Sequence, residues 1–149
     1  MRTFAELRSD ADIARAFPLM AALRDRIRVE TFAAEVRRQH CQGYELIGAF
    51  EDGALVALAG VRRTHTLSRG EHVFVDDLVT EEQARGRGHG AALLRWIATR
   101  AAAEGVTRLH LDSRLSARGF YEQAGFTFHS SIPCWVEIPK FLAEPPGVL

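Results

Sequence analysis

The chain has 149 residues, and its 19 basic and 19 acidic side chains cancel to a formal net charge of zero. That length suits one domain burying roughly 68–70% of its unfolded surface, and 47% hydrophobic with 26% charged residues exclude a disordered, collagen-like or coiled-coil chain. Neutrality also withholds the basic excess with which proteins grip nucleic acid or anionic membrane, so neither partner is expected.

A short strand is predicted at Thr3–Leu7. From Ala11 to Ile27 the residues Ile13, Ala16, Phe17, Met20 and Leu23 recur at helical spacing, with Asp10 or Asp12 as N-cap. Pro18 interrupts this run and predicts a kink or two short helices. Thr31–His40 reads as another helix, with Phe32 and Val36 on one face. Tyr44–Phe50 and Ala54–His65 flank Glu51-Asp52-Gly53, whose Asp-Gly pair signals a hairpin. Ser68-Arg69-Gly70 then turns the chain into a strand at Glu71–Thr80, completing an antiparallel meander.

A helix is predicted from Ala91 to Glu104, with Leu93, Leu94, Trp96, Ile97 and Ala101 inward and Gly105 ending it. Val106–Ser113 reads as a strand and Ser116–Ala124 as a helix closed by Gly125. Phe126–Ser131 and Cys134–Ile138 read as two final strands, and Pro145-Pro146-Gly147 as a frayed tail. The fold class is α/β of the α+β kind: a mostly antiparallel central sheet of six to seven strands, one strand–helix–strand crossover and flanking helices. No repeat or linker divides residues 1–149, so a single domain is expected.

Cys41 and Cys134 are too few for a disulfide scaffold and form no CxxC pair, which suits a reduced compartment. Charge appears within the first six residues, which leaves no secretory apolar region. The longest apolar stretch, near Ala54–Val61, is far short of a membrane span. A cytoplasmic location is expected. Six scattered histidines show no metal-ligand spacing, so no metal is expected, and no GxSxG elbow is present. His40 and Cys41 are adjacent and point apart on a helix, which argues against a thiol nucleophile.

The sharpest local feature is Arg85-Gly86-Arg87-Gly88-His89-Gly90 opening a helix. Three glycines leave amides uncovered, the helix start adds its dipole, and Arg85, Arg87 and His89 add positive charge, so the turn suits an anion. A flexible surface turn is the competing reading. Gly86 to Ala91 satisfies the dinucleotide pattern GxGxxA only formally. That fingerprint follows its strand directly, whereas Glu81–Ala84 intervene here, and the chain after Gly90 is too short for a doubly wound sheet. A Walker loop would need a Lys that is not there.

The second feature is Phe120-Tyr121-Glu122-Gln123-Ala124-Gly125-Phe126, one strand–helix unit later. Together the two features resemble the GNAT superfamily of N-acetyltransferases. Its cofactor signature Gln/Arg-x-x-Gly-x-Gly/Ala is matched by Arg85, Gly88 and Gly90, and its later Tyr, three residues and Gly-Phe by Tyr121, Gly125 and Phe126. The element order matches from Thr3 to Ile138.

The resemblance implies acetyl-CoA as donor and a primary amine of a small molecule or peptide as acceptor, with direct attack through a tetrahedral intermediate. It places the pyrophosphate on the amides of Arg85, Gly86, Arg87, Gly88, His89 and Gly90, and the pantetheine arm along Leu78, Val79 and Thr80. The Leu78 amide is then the oxyanion donor. Tyr121, whose hydroxyl titrates ordinarily near 10, is the acid for the leaving thiolate and a cofactor contact. Val73 and Val75 share a parity that Leu78 breaks, which suits a bulge at Asp76-Asp77; a regular strand with Phe74, Asp76 and Leu78 on one face is the alternative.

For the base, Asp76, Asp77 and His72 rank first, followed by Glu71, His110 and Asp112, and proton loss through water with no single base stays open. Many members carry Asn before the Tyr-bearing helix; Ser113, Arg114 and Ser116 stand here, with Ser113 or Ser116 as the substitute contact. Glu81-Glu82 replace a frequent Pro. The first two helices, Ala11–His40, shape the acceptor site in this fold. Arg24, Arg26, Arg28, Arg37 and Arg38 make them basic, which fits either a solvated face or an acidic group on the acceptor. Dimers are common in similar enzymes, so a homodimer is open. A non-catalytic acyl-CoA-binding module or sensor is the second functional reading.

Overall fold

The structure, a computed structural model, describes residues 1–143, so the predicted tail at Pro145-Pro146-Gly147 lies outside the described residues. Residues Met1–Leu111 form one compact unit and the chain from Asp112 a second. In the first unit β1 (Arg2–Glu6), β2 (Tyr44–Glu51), β3 (Ala54–Thr66), β4 (Gly70–Thr80) and β5 (Leu109–Leu111) form one sheet in that spatial order. The first three pairings are antiparallel and β4–β5 is parallel. The crossover between β4 and β5 contains α3 (His89–Ala103), while α1 (Asp10–Leu23) and α2 (Phe32–His40) lie between β1 and β2.

Period-two alternation sorts the strands between two layers. Leu46 and Leu58 pack with Ile13, Ala16 and Met20 of α1 and Phe32 and Val36 of α2. Their odd-numbered neighbours Ile47 and Val61 line a pocket with Val73 and Ile97 of α3. The sheet is therefore covered on both faces. Asp52 and Gly53, with φ of 49° and 83°, make the two-residue hairpin turn between β2 and β3. Two successive positive φ values match the twist of the flanking strands.

Several boundaries differ from the expected ones. Ser9, not Asp10 or Asp12, caps α1, its hydroxyl oxygen accepting from the Asp12 amide at 3.1 Å. Ser9→Ala is expected to cost about 1 kcal/mol in a denaturant titration. Pro18 sits inside one unbroken helix, because the buried stripe Ile13, Ala16, Leu19 and Met20 runs across it and only one ladder bond is forfeited. The helix stops at Leu23 rather than Ile27, as Arg24 turns to extended backbone.

In the second unit a 3₁₀ turn at Leu115–Ala117 leads into α4 (Arg118–Gln123), and α5 covers Ile138–Ala143. The two final strands predicted at Phe126–Ser131 and Cys134–Ile138 are not formed, so the sheet has five strands rather than six to seven. Pro133 cannot donate to a ladder there, and Ile132 and Trp135 stay 84% and 83% exposed, so little apolar burial offsets the cost of ordering them. No helix among the described residues is long and apolar enough to cross a membrane.

Candidate functional site

β4 carries a bulge at the expected place. Gly60 pairs with Asp77 while the next residue, Val61, pairs with Val75, so Asp76 is the extra residue. The consequence is visible in the packing. Val73 and Val79 are an even number of residues apart and would share a face of a regular strand. Instead Val73 lies on the α3 side and Val79 in the core beneath α1.

The bulge also redirects the amides. Val73 N–H donates to the Arg108 carbonyl at 3.0 Å, toward β5, whereas Glu81 N–H donates to the Val56 carbonyl at 2.9 Å, toward β3. Amides alternate along a strand. Counting back from Glu81 puts Val79 and Asp77 toward β3, and Leu78 and Thr80 toward the opposite edge. That edge is open: β5 pairs only with Val73, Phe74 and Val75. Leu78 N–H thus lies on an edge where β5 offers no ladder partner, and the Thr80 carbonyl on the same edge accepts from Arg85 Nε at 3.3 Å.

The open edge runs into the glycine turn. A 3₁₀ turn at Glu82–Ala84 intervenes, capped by the Glu81 carboxylate, which accepts from the Ala84 amide at 3.0 Å. Glu81, which stands where a Pro is frequent, thus orders the approach to the turn. Gly86 and Gly88 have φ of 75° and 78°, and Gly88 is the N-cap of α3 without a side-chain cap. The helix ladder starts with Ala92 N–H donating to the Gly88 carbonyl at 3.0 Å, which leaves the amides of His89, Gly90 and Ala91 without intrahelical acceptors. A Cβ at Gly86 or Gly88 would meet nothing within 4 Å, so nothing packs against the outer side of the turn at these two positions. With no acidic residue in the first turn of α3, the turn fits a diphosphate.

Two expected contributors to that charge are turned elsewhere. Arg87 pairs with Glu51 at 2.6 Å, and its carbonyl accepts from Arg2 at 3.1 Å. His89 is buried, with Nε2 3.5 Å from the same Glu51 carboxylate. These side chains fasten the turn to β1 and β2, and Arg85 is left as the guanidinium beside it. Glu51 was read only as part of a hairpin turn; nothing local in the sequence pairs it with residues 36 and 38 positions on.

The base candidates separate. Asp76 is held by Arg62 through Nε at 2.8 Å and Nη2 at 2.9 Å. Asp77 accepts from Arg24 Nε and from the Tyr44 hydroxyl, both at 2.8 Å. Both carboxylates are thereby engaged by guanidinium groups. His72 is buried, its Nδ1 2.9 Å from the Gly70 carbonyl and its ring edge-on to His110 at 4.9 Å. Four residues along β4 from Asp76, it lies about 13 Å from the bulge. Glu71 is paired with Arg63 at 2.8 Å. Arg62 and Tyr44 are the residues at the bulge that sequence reasoning missed, and Arg24, read only as part of a basic helical segment, joins them there.

In the second unit Tyr121 is buried on α4, with Phe120 and Phe126 rings edge-on at 5.0 and 5.4 Å. Burial raises its hydroxyl above the ordinary tyrosine value. Ser113 donates its hydroxyl to the Arg114 carbonyl at 2.8 Å. Of the six arginines in the segment 11–40, Arg24 holds Asp77, Arg28 lies 3.6 Å from Glu30, and Arg37 pairs with Asp10. No group of three or more His, Cys, Asp or Glu gathers to hold a metal among the described residues.

Residues 8–126 match the family model described as the acetyltransferase (GNAT) family. The chain is 32% identical over 132 residues to the uncharacterized N-acetyltransferase YhdJ of Bacillus subtilis, covering 84% of this chain and 92% of that one. Its fold is similar to that of an acetyltransferase from Trypanosoma brucei, with a TM-score of 0.76 at 20% identity over 92% of this chain and 100% of that one. It is also similar to an aminoglycoside N-acetyltransferase in complex with CoA, with a TM-score of 0.79 at 13% identity over 92% of this chain and 95% of that one.

Proposed function

The chain belongs to the acetyltransferase (GNAT) family, and from that premise we propose that it moves an acetyl group from acetyl-CoA to a primary amine of a small molecule or peptide, the whole chain serving as one catalytic domain. What supports this most is the succession of two backbone devices: a β4 edge left unpaired beyond Val75, then, after one 3₁₀ turn, the uncapped start of α3. An extended amide-bearing arm and a diphosphate need that pair of features in that order.

Bound acetyl-CoA supplies an activated thioester, and the chain's residues do the rest. The amides from Arg85 to Gly90, with the Arg85 guanidinium, hold the diphosphate. Leu78, Val79 and Thr80 align the arm, and Ser113 adds a polar contact. Leu78 N–H donates to the carbonyl oxygen on which negative charge develops during attack, where such a donor is worth about 10²–10³ in rate. With Asp76 and Asp77 both engaged by arginines, the amine gives up its proton to water rather than to a dedicated carboxylate. Tyr121 returns a proton to the departing sulfur.

Incubating the protein with acetyl-CoA and a panel of primary amines, while following release of free thiol, tests this. Release that depends on both the protein and particular amines is expected. Cofactor binding with no release above background for any amine would instead assign a non-catalytic acyl-CoA-binding module.

A further inference from the structure

Besides Arg62 of β3, which holds the Asp76 carboxylate, two groups grip the bulge in β4. Arg24, the first residue after α1, donates through Nε to Asp77 Oδ1 at 2.8 Å and through Nη2 to the Asp76 carbonyl at 2.6 Å. Tyr44, the first residue of β2, donates its hydroxyl to Asp77 Oδ2 at 2.8 Å. Between them lies Gly60 of β3, paired with Asp77 at the register shift. A Cβ on Gly60 would stand 1.9 Å from the Tyr44 oxygen and 2.5 Å from Asp77 Oδ2. Gly60 is thus the gap through which Tyr44, itself buried, reaches the bulge.

The bulge needs this grip. An inserted residue leaves its own peptide groups out of the ladder, and an unpaired backbone carbonyl is costly. Arg24 satisfies the Asp76 carbonyl, which fixes the peptide plane between Asp76 and Asp77. The two oxygens of the Asp77 side chain, one on Arg24 and one on Tyr44, fix the residue after that plane. The next peptide carries Leu78 N–H. Arg62 still anchors the Asp76 carboxylate, but without the grip nothing fixes the Asp76–Asp77 peptide plane, and one step of register returns Leu78 N–H to the β3 side.

We propose that Arg24, Tyr44 and Asp77, with Gly60 as their passage, form a clamp that positions the Leu78 amide on the open edge of β4 for the acyl transfer proposed above. The inference rests on that reading of the site. The three side chains are positioning residues, since their polar atoms are spent on one another and on the backbone. It also gives Arg24 a task other than recognition of an acidic acceptor.

Two readouts test the clamp. In steady-state kinetics Tyr44→Phe, which removes one oxygen, and Arg24→Lys, which keeps charge but loses the two-pronged donation, are each expected to lower kcat about 10–100-fold. Dissociation constants for CoA should rise less than kcat falls, because the glycine turn that holds the diphosphate is untouched and only the arm's contacts along β4 shift. Gly60→Ala should lower kcat at least as far as Tyr44→Phe, because its Cβ would crowd both the Tyr44 ring and the Asp77 carboxylate. Wild-type kcat in Tyr44→Phe and Arg24→Lys, or a fall in kcat matched by an equal loss of CoA affinity, overturns the clamp.

The second readout needs no turnover. Amide exchange at Asp77 and Val79, whose N–H groups point toward β3, followed by NMR in the whole chain, should accelerate in Tyr44→Phe while the amides of β2 keep their protection. Unchanged exchange at Asp77 and Val79 overturns the proposal. Absence of thiol release in the wild-type protein would sink the transfer reading alone, and the exchange measurement would still decide whether the clamp holds the bulge.

Discussion

Gly88→Glu is expected to abolish measurable acetyl-CoA binding while leaving the fold intact. Gly88 sits at φ 78° as the N-cap of α3, so any side chain there costs about 1–2 kcal/mol of backbone strain. No packing clash adds to this, because a Cβ would meet nothing within 4 Å. A carboxylate on that Cβ projects into the space before the His89, Gly90 and Ala91 amides and can occupy them itself, favoured by the helix dipole. Against a diphosphate it is repulsive. Two like charges 4 Å apart cost about 4 kcal/mol near a protein surface, which corresponds to about three orders of magnitude in affinity. Calorimetric titration with CoA and a thermal melt separate the effects. Loss of binding with a melting temperature lowered by only a few degrees is the expected pair, and Gly88→Ala should share the strain but keep most of the affinity. Affinity within tenfold of wild type in Gly88→Glu would move the diphosphate away from this turn.

Which parts of this arrangement could be read from the chain follows from how local their causes are. The Asp52-Gly53 turn rests on two adjacent residues that tolerate positive φ, and it stands where they do. The parity break between Val75 and Leu78 is a pattern within one strand, and the bulge falls inside it. The glycine turn is likewise contiguous. What could not be read depends on partners brought in by the fold. Nothing near Arg24 announces Asp77, 53 positions on, nor does Tyr44 announce that Gly60 will leave it a passage to the same carboxylate. The same blindness made Arg87 and His89 look like ligands, since Glu51 reaches them only across the sheet. The strands expected at Phe126–Ser131 and Cys134–Ile138 failed for the complementary reason. Apolar content favours a strand, but a strand forms only where a ladder partner and a covering surface exist. α1 errs in a third way: the side-chain spacing continues to Ile27, yet the helix ends where Arg24 has a better use for its guanidinium.

Tyr121→Phe should lower turnover about 10²–10⁴-fold, the usual worth of a positioned proton donor, with CoA affinity unchanged. The ring is retained, so its edge-on contacts with Phe120 and Phe126 persist and stability should shift little. The sign of the pH dependence follows from burial. The neutral hydroxyl is the donor, and burial raises its titration above the ordinary tyrosine value of 10.0. The donor is therefore fully present through neutral pH, and its share of both rate and stability is lost only as pH rises past about 10 toward the raised folded value. A rate that falls between pH 7 and 9 would belong to another group. The leaving thiol offers the sharper discrimination. A thiolate of low basicity needs no proton to depart, so an acetyl thioester with a more acidic thiol should restore most of the lost rate in Tyr121→Phe while changing the wild-type rate little. If instead the variant is equally slow with both thioesters, Tyr121 acts by holding the thioester in place, and the proton reaches the sulfur from water. If it is fast with both, the hydroxyl has no part in the transfer.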